Sequence, residues 1–427
     1  MRELKIGTSW VRGVVGDALT PEVIVYFSCA FGTWCGGGPV VICRDTRRSS
    51  TAARAAVTAG LLSTGCEVID LGVSSTPLAS FAVRELAASG GISITGSHNE
   101  ARWNALKFIG PDGALLNAVK SEELLDIYHR TAFETAAWDQ IRPVRGQTSV
   151  EERYIEQLLA ALDGDLIRGR CFRVAVDFCN GVCAAVTGRF LQALGCTLLP
   201  VNEEPTGEFA HPPAPNPANM RQLATLMKCL QADLGAAVNV DGDRVGFVTD
   251  EGHALSEEYA LPLVAGGRLQ RRPGPIATGL SSSRMIDVLA EAHGQKVIRT
   301  PVGESFVIDQ GLTEGAVLAG EGCGGVAALP ISMTFDALVA LGLVLEQMAA
   351  HELSLSALVN RLPRFAMRKH ELPCPPNLVY RMLDGFRVHY AEHNPDCLDG
   401  VRVVWPDAWL HLRASNTEPL LRIIVEA

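Results

Sequence analysis

The sequence has no surplus of positive charge: 37 lysines and arginines stand against 47 aspartates and glutamates, a formal net charge of −10. That balance excludes general affinity for nucleic acid or an anionic membrane surface, so an anionic ligand must be met by local basic clusters. Long apolar runs are also missing. The most apolar helical stretch, FDALVALGLVLEQMAA, is shorter than a membrane span and carries Asp336 and Glu346, which marks a core helix. The start, MRELKIGTSWVRG, lacks the apolar segment of a secretory signal. The 12 cysteines show no metal-ligand spacing, and in a chain this large they point to buried thiols in a reducing, cytoplasmic compartment.

What is present is a repeated grammar. PVVICRD (39–45), a helical pattern through Ala53, Val57 and Leu61, CEVIDLG (66–72), a helix over 77–88 and GISIT (91–95) read as β-α-β-α-β. This is the order of a mainly parallel sheet covered by helices, with reactive loops at the carboxyl ends of its strands. The pattern restarts at RVAVDF (173–178) and again at PIATG (275–279), while the last sixty residues hold paired strands in DGVRVVWPDAWLHLRAS and LLRIIVEA. The expected fold is α/β, with units over about 1–147, 148–253 and 254–363, followed by an α+β unit over about 364–427.

Three polar stretches interrupt this grammar. In TGSHNE, glycine lets the chain bend and Ser97, His98 and Asn99 follow as an exposed loop, either a capping turn or a reactive one. In NVDGDR, Asn239, Asp241 and Asp243 can converge on a hard cation such as magnesium, with Arg244 beside them for a phosphate. An Asp-Gly turn is the plain alternative. In RASNTEPLLR, Arg413 and Arg422 flank Ser415, Asn416 and Thr417, a set of guanidinium forks and hydroxyls suited to phosphate. GTSWVRG offers Arg12, GEGCGG presents Glu321 on a glycine-rich loop, and Lys107 in RWNALKF has the surface default of a lone lysine. A serine, a cation site and a separate phosphate clamp together point to phosphoryl transfer on a sugar phosphate.

In this order the motifs resemble those of the α-D-phosphohexomutases, the phosphoglucomutase/phosphomannomutase and phosphoglucosamine mutase family, along essentially the whole chain. TGSHNE resembles the phosphoserine loop T-A-S-H-N-P, NVDGDR the magnesium loop D-x-D-x-D-R, GEGCGG the sugar loop G-E-x-S-G, and RASNTEP the phosphate loop. GTSWVRG is similar to G-T-S-G-x-R-G, and WNALK to N-G-x-K. The resemblance implies four domains around a central cleft and an intramolecular phosphotransferase acting in the cytoplasm. A hexose 1-phosphate and a hexose 6-phosphate would interconvert through phospho-Ser97 and a hexose 1,6-bisphosphate, on a monomer or homodimer.

The same resemblance implies roles for single residues. Arg12 and His98 would hold the phosphoserine, and Lys107 would assist proton transfer. Mg2+ would sit on Ser97, Asn239, Asp241 and Asp243. The sugar phosphate would meet Arg244, Glu321, Cys323, Arg413, Ser415, Asn416, Thr417 and Arg422. SNTEP favours glucose and mannose phosphates; phosphoglucosamine mutase, or a weakened sugar-phosphate-binding homologue, is the alternative. Several positions depart from the family pattern. Asn239 stands for an aspartate and Cys323 for a serine, Trp10 and Ala105 for glycines, Glu100 for proline, and Ser305 for a common basic residue. An amide oxygen at Asn239 can still ligate magnesium but brings no negative charge.

Overall fold

The computed structural model describes residues 4–147, 149–415 and 420–427. The first sheet has seven strands in the spatial order Lys5–Ile6, Trp10–Val14, Trp103–Ile109, Gly90–Ile94, Pro39–Arg44, Glu67–Val73, Val144–Gly146. Pro39–Arg44 pairs in parallel with both Glu67–Val73 and Gly90–Ile94, whereas Trp103–Ile109 runs antiparallel to Gly90–Ile94 and carries the N-terminal hairpin beyond it. The sheet is therefore mixed, with a parallel centre. Its apolar faces are covered by helices that include Pro21–Trp34, Arg48–Ser63 and Thr76–Glu85.

The next two sheets are smaller and share one plan. Leu234–Val238 and Thr197–Val201 flank Arg173–Asp177 in parallel, and Val245–Thr249 returns antiparallel at the edge. Val297–Thr300 and Leu318–Glu321 likewise flank Ile276–Gly279 in parallel, and Gly325–Ala328 returns antiparallel. The final sheet is wholly antiparallel, in the order Met367–Pro373, Leu420–Glu426, Trp409–Ala414, Val401–Val404, with helix Pro376–His389 against it.

The core binds the first three sheets together. One continuous cluster runs from Val41 and Phe81 through Tyr154, Val176 and Phe247 to Ile276 and Leu345, so these units share buried surface rather than hanging on linkers. At its centre lies helix Ala337–His351, the segment expected as a core helix, with Ala337 to Ala349 all buried. Among the described residues no helix is long and apolar enough to cross a membrane. The last unit has a small core of its own, Cys374, Leu412 and Leu421. It is tied to the third by polar bonds: Arg284 N donates to Glu426 Oε1 at 2.8 Å and Val302 N to Asp399 Oδ2 at 2.9 Å.

Asp336 shows how a buried charge is tolerated inside this core. It caps the central helix, accepting from Leu338 N at 2.9 Å and Val339 N at 3.2 Å, and its other oxygen accepts from Tyr154 Oη at 2.8 Å. Both side chains are essentially inaccessible. Tyr154→Phe leaves a buried carboxylate oxygen without its partner and is expected to cost about 1–3 kcal/mol. A lowered unfolding midpoint in urea or heat, with the circular dichroism of the folded state unchanged, checks this.

Candidate active site

The three internal loops singled out in the sequence occupy one topological position. Each leaves a strand that is parallel to its neighbour and returns in an antiparallel one: Gly90–Ile94 to Trp103–Ile109, Leu234–Val238 to Val245–Thr249, Leu318–Glu321 to Gly325–Ala328. They therefore open at the carboxyl ends of the parallel strands, where backbone groups lose their sheet partners and side chains become available.

Ser97 is not the exposed hydroxyl expected from its polar neighbours: it is 2% exposed. Its φ of +49° lies in the left-handed region, a cost of about 1 kcal/mol or more for a residue with a Cβ. A buried network offsets that cost. Ser97 N donates to Thr95 Oγ1 at 2.9 Å, and Arg47 Nη2 donates to the carbonyls of Ser97 at 3.0 Å and Asn99 at 2.5 Å. Asp45 anchors Arg47 through an ion pair and accepts from Ser50 Oγ at 2.6 Å and Thr95 Oγ1 at 2.8 Å. Gly96 is required here, since a Cβ would lie 2.8 Å from Arg47 Cζ and from the Trp103 carbonyl.

The NVDGDR loop is clamped from both sides. From the first unit, Thr76 donates to Asp241 with its N–H (3.0 Å to the carbonyl) and its hydroxyl (2.8 Å to Oδ2). From the third, Ala337 N donates to the Gly242 carbonyl at 3.0 Å, and Val245 N donates to the Gly324 carbonyl, also at 3.0 Å. Lys107, given a surface default by sequence, is instead 5% exposed in the strand Trp103–Ile109. Its Nζ donates to Asp241 Oδ2 at 2.7 Å and Asp243 Oδ2 at 2.5 Å. Asn239 Nδ2 donates to the other oxygens, Asp241 Oδ1 at 2.9 Å and Asp243 Oδ1 at 2.5 Å, and to Ser97 Oγ at 3.2 Å.

Electrostatics follow from this packing. Burial works against the Lys107 ammonium, but Asp241 and Asp243 outweigh it and hold its pKa above the ordinary lysine value. Burial likewise works against the Asp243 carboxylate, and Lys107 and Arg244 overcome it, keeping that group ionised. His98 is pushed the other way: Arg244, burial and Arg12 hold the imidazole well below its usual 6.5, and Nδ1 has no hydrogen-bond partner. Arg12 donates to Asn99 Oδ1 at 2.6 Å and lies 4.3 Å from the Trp10 ring; burial and Arg244 bring its pKa down to about 10. The indole that replaces a glycine thus lies against the Arg12 guanidinium.

A cavity of about 570 Å³ joins these groups to the other motifs. Ser97, His98, Lys107, Arg12, Asp243, Arg244, Glu321, Cys323, Arg413 and Arg422 all line it. Glu321, expected on a loop, ends its strand and is 9% exposed; it accepts from Gly303 N at 2.8 Å. Burial pushes the Cys323 thiol up to about 12, so it stays protonated. Arg413 and Arg422 face each other directly across two antiparallel strands. Like charges so placed repel, and here Asp399, 3.1 Å from Arg413 Nε, and Glu371, 3.4 Å from Arg422 Nε, offset the repulsion. Ser415 N donates to the Leu420 carbonyl at 2.9 Å, while Asn416 and Thr417 lie outside the described residues.

Sequence reasoning overlooked Arg47, Asp45, Thr76 and Glu304. Glu304 lines the cavity, accepts from Phe335 N at 2.7 Å, and is raised by burial to about 8. The signal for Asp45 and Arg47 was available, because CRDTRRSS follows the carboxyl end of a parallel strand as the other loops do.

The oxygens of Asp241, Asp243 and Ser97 gather as a cation site would require, but the amide at position 239 presents its nitrogen to them. Among the described residues no group of three His, Cys, Asp or Glu side chains is arranged to hold a metal ion. As built, the cage does not offer a divalent ion the ligand set expected from the sequence.

The chain folds as three related α/β units and an antiparallel fourth that close on a serine, a carboxylate pair and an arginine fork. Family models for phosphoglucomutase/phosphomannomutase match it in four parts: alpha/beta/alpha domain I at 3–135, domain II at 152–252, domain III at 257–365, and the C-terminal domain at 383–427. A probable phosphoglucosamine mutase of Methanopyrus kandleri is 35% identical over 99% of this chain and 93% of its own. A phosphoglucomutase/phosphomannomutase of Thermococcus kodakarensis is 31% identical over 99% of this chain and 94% of its own. The crystal structure of a phosphoglucomutase/phosphomannomutase family protein from Burkholderia thailandensis superposes with a TM-score of 0.86 at 29% identity, covering 98% of this chain and 92% of that one. The chain belongs to the α-D-phosphohexomutase family, whose members are isomerases of the phosphotransferase type.

Two outcomes follow from the site geometry. Arg47→Lys removes the fork that holds two loop carbonyls, and is expected to lower turnover by about tenfold or more through misplacement of Ser97. Faster amide exchange at 96–99, read by mass spectrometry, accompanies it. His98 is expected to stay neutral as pH falls through 6.5, followed by its imidazole NMR shifts. The folded state binds that proton less readily than the unfolded chain, so its contribution to stability is present above pH 6.5 and declines below it.

Proposed function

We propose that this phosphohexomutase interconverts hexose 1-phosphate and hexose 6-phosphate, with Ser97 as the phosphoryl carrier and hexose 1,6-bisphosphate as intermediate and primer. The supporting observation is a single cavity that holds the buried Ser97 side and the opposed Arg413–Arg422 pair. Beyond their contacts with Asp399 and Glu371, the two guanidinium groups carry further N–H donors that a phosphate can take, and a monophosphate sugar held there presents a free hydroxyl towards Ser97.

In the transfer, the bond from phosphorus to Ser97 Oγ breaks and a bond from phosphorus to the sugar oxygen forms. Lys107, Arg12 and Arg244 neutralise the charge on the moving group. The sugar hydroxyl gives up its proton and the leaving Ser97 Oγ takes one up, while His98, held neutral by Arg244, burial and Arg12, orients the reacting groups rather than keeping that proton. Lys107, already holding two carboxylates, keeps its proton and serves as a fixed positive charge. In the second half-reaction the other phosphate returns to Ser97 and the proton moves back. Glu321 accepts a sugar hydroxyl, and Cys323, a weak donor, does less than a serine would. The lining residues named here all come from one chain.

Glucose and mannose phosphates are the proposed substrates; the name of the Methanopyrus relative makes glucosamine phosphates the alternative. Each is tested by giving the protein the 1-phosphate and a trace of the matching 1,6-bisphosphate, then measuring 6-phosphate formed. Ser97→Ala is expected to reduce turnover by more than about a thousandfold. Asn239 and Cys323 favour a second reading, a sugar-phosphate binder with little turnover. Intact mass separates the two: a phosphoryl group on Ser97 that exchanges with labelled substrate supports the mutase, and its absence under every sugar phosphate supports the binder.

A further inference from the structure

The amide of Asn239 has a fixed direction. Asn239 and Arg244 close the NVDGDR loop twice, through Asn239 N to the Arg244 carbonyl at 3.2 Å and through Arg244 N to Asn239 Oδ1 at 3.0 Å. With its oxygen committed to that N–H, the side chain turns Nδ2 inward, onto Asp241, Asp243 and Ser97 Oγ. An aspartate at this position would accept the same N–H with one oxygen and aim the other, a hard ligand, into the cage. Asparagine aims a donor there instead, and a donor repels a cation.

Lys107, which the family pattern also has, supplies the remaining donors. Its ammonium takes Oδ2 of both aspartates, while the amide takes Oδ1 of both, so all four carboxylate oxygens already accept from a positive or polar hydrogen. The four residues Asn239, Asp241, Asp243 and Lys107 are each 5% exposed or less, so the arrangement is shielded from competing water. Ligation of a divalent ion by the amide oxygen would need a half-turn of Asn239. That half-turn sets NH2 against the Arg244 N–H and takes the amide donor from Asp241 Oδ1 and Asp243 Oδ1, while Lys107 stays on both Oδ2 atoms.

We infer that this chain has replaced a tightly held divalent ion with a resident cation: Lys107 Nζ, aided by Asn239 Nδ2, supplies the positive charge beside Ser97. Mg2+ and Mn2+ bind the cage weakly, and the residue at 239 sets that weakness. The inference rests on the reading of Ser97 as the phosphoryl carrier, but its test does not use turnover.

The probe is Mn2+ alone, titrated into the full-length protein with the free ion counted by electron paramagnetic resonance. Asn239→Asp is expected to bind Mn2+ about ten- to a hundredfold more tightly than the wild type. In thermal unfolding, the melting temperature of the variant rises with Mn2+ while that of the wild type stays level. Equal affinity in the two proteins overturns the inference. If Asn239→Asp does not fold, the wild type decides: a one-to-one Mn2+ site that is lost in Asp243→Asn overturns it, and the lack of such a site upholds it. Failure of Ser97 to accept a phosphoryl group would instead count against the mutase reading, whatever the Mn2+ titration shows.

Discussion

The site depends on one ammonium ion seated between two buried carboxylates. Lys107 comes from the first sheet, Asp241 and Asp243 from the second, and the loop bearing the aspartates is pinned by the third through Ala337 and Gly324. Each partner would be costly to bury alone, and together they make the meeting of three domains conditional on a correct charge pattern. The same ion pair lies beside Ser97 through Asn239, so the contact that docks the domains also sets the electrical environment of the hydroxyl proposed to carry the phosphoryl group. Architecture and chemistry are here one constraint.

Much of this was legible in the sequence because the parallel-sheet grammar is simple. PVVICR, RVAVD and LGAAV form strands with two buried faces, and each polar stretch that follows such a run falls at a carboxyl end. The rule that reactive loops lie there located Ser97, the NVDGDR turn and the GEGCGG turn. The family resemblance then supplied the order of the motifs, which the fold and its relatives support. Strands outside the alternating pattern were harder to see. Trp103–Ile109 and the hairpin Lys5–Ile6 with Trp10–Val14 are short or mix polar with apolar residues, and Trp10–Val14 finds its second antiparallel partner, Trp103–Ile109, far along the chain.

What escaped was burial of polar groups. A serine, a lysine and two aspartates look solvated in sequence, since each alone is expensive to bury. Their burial depends on pairings between residues more than a hundred positions apart, such as Lys107 with Asp243 or Thr76 with Asp241. Composition carries no trace of such pairings. Arg47 illustrates a subtler gap: it touches two carbonyls of the Ser97 loop, and a residue that recognises backbone leaves no motif in the segment it supports. The direction of the Asn239 amide belongs to the same kind, fixed by a backbone N–H five residues on.

The arginine pair has a mechanical consequence. Arg413 and Arg422 are cross-strand neighbours, so their separation is set by the ladder, about 5 Å between α-carbons, and no loop motion can change it. They act as a rigid end-stop. The span from this stop to the serine can vary only if the whole last sheet, with its small private core, shifts as a body against its polar tethers to the third unit. Under the proposed function, the length of sugar that fits is set by how the last unit sits on the third, and a turning bisphosphate would meet the same gauge at either end.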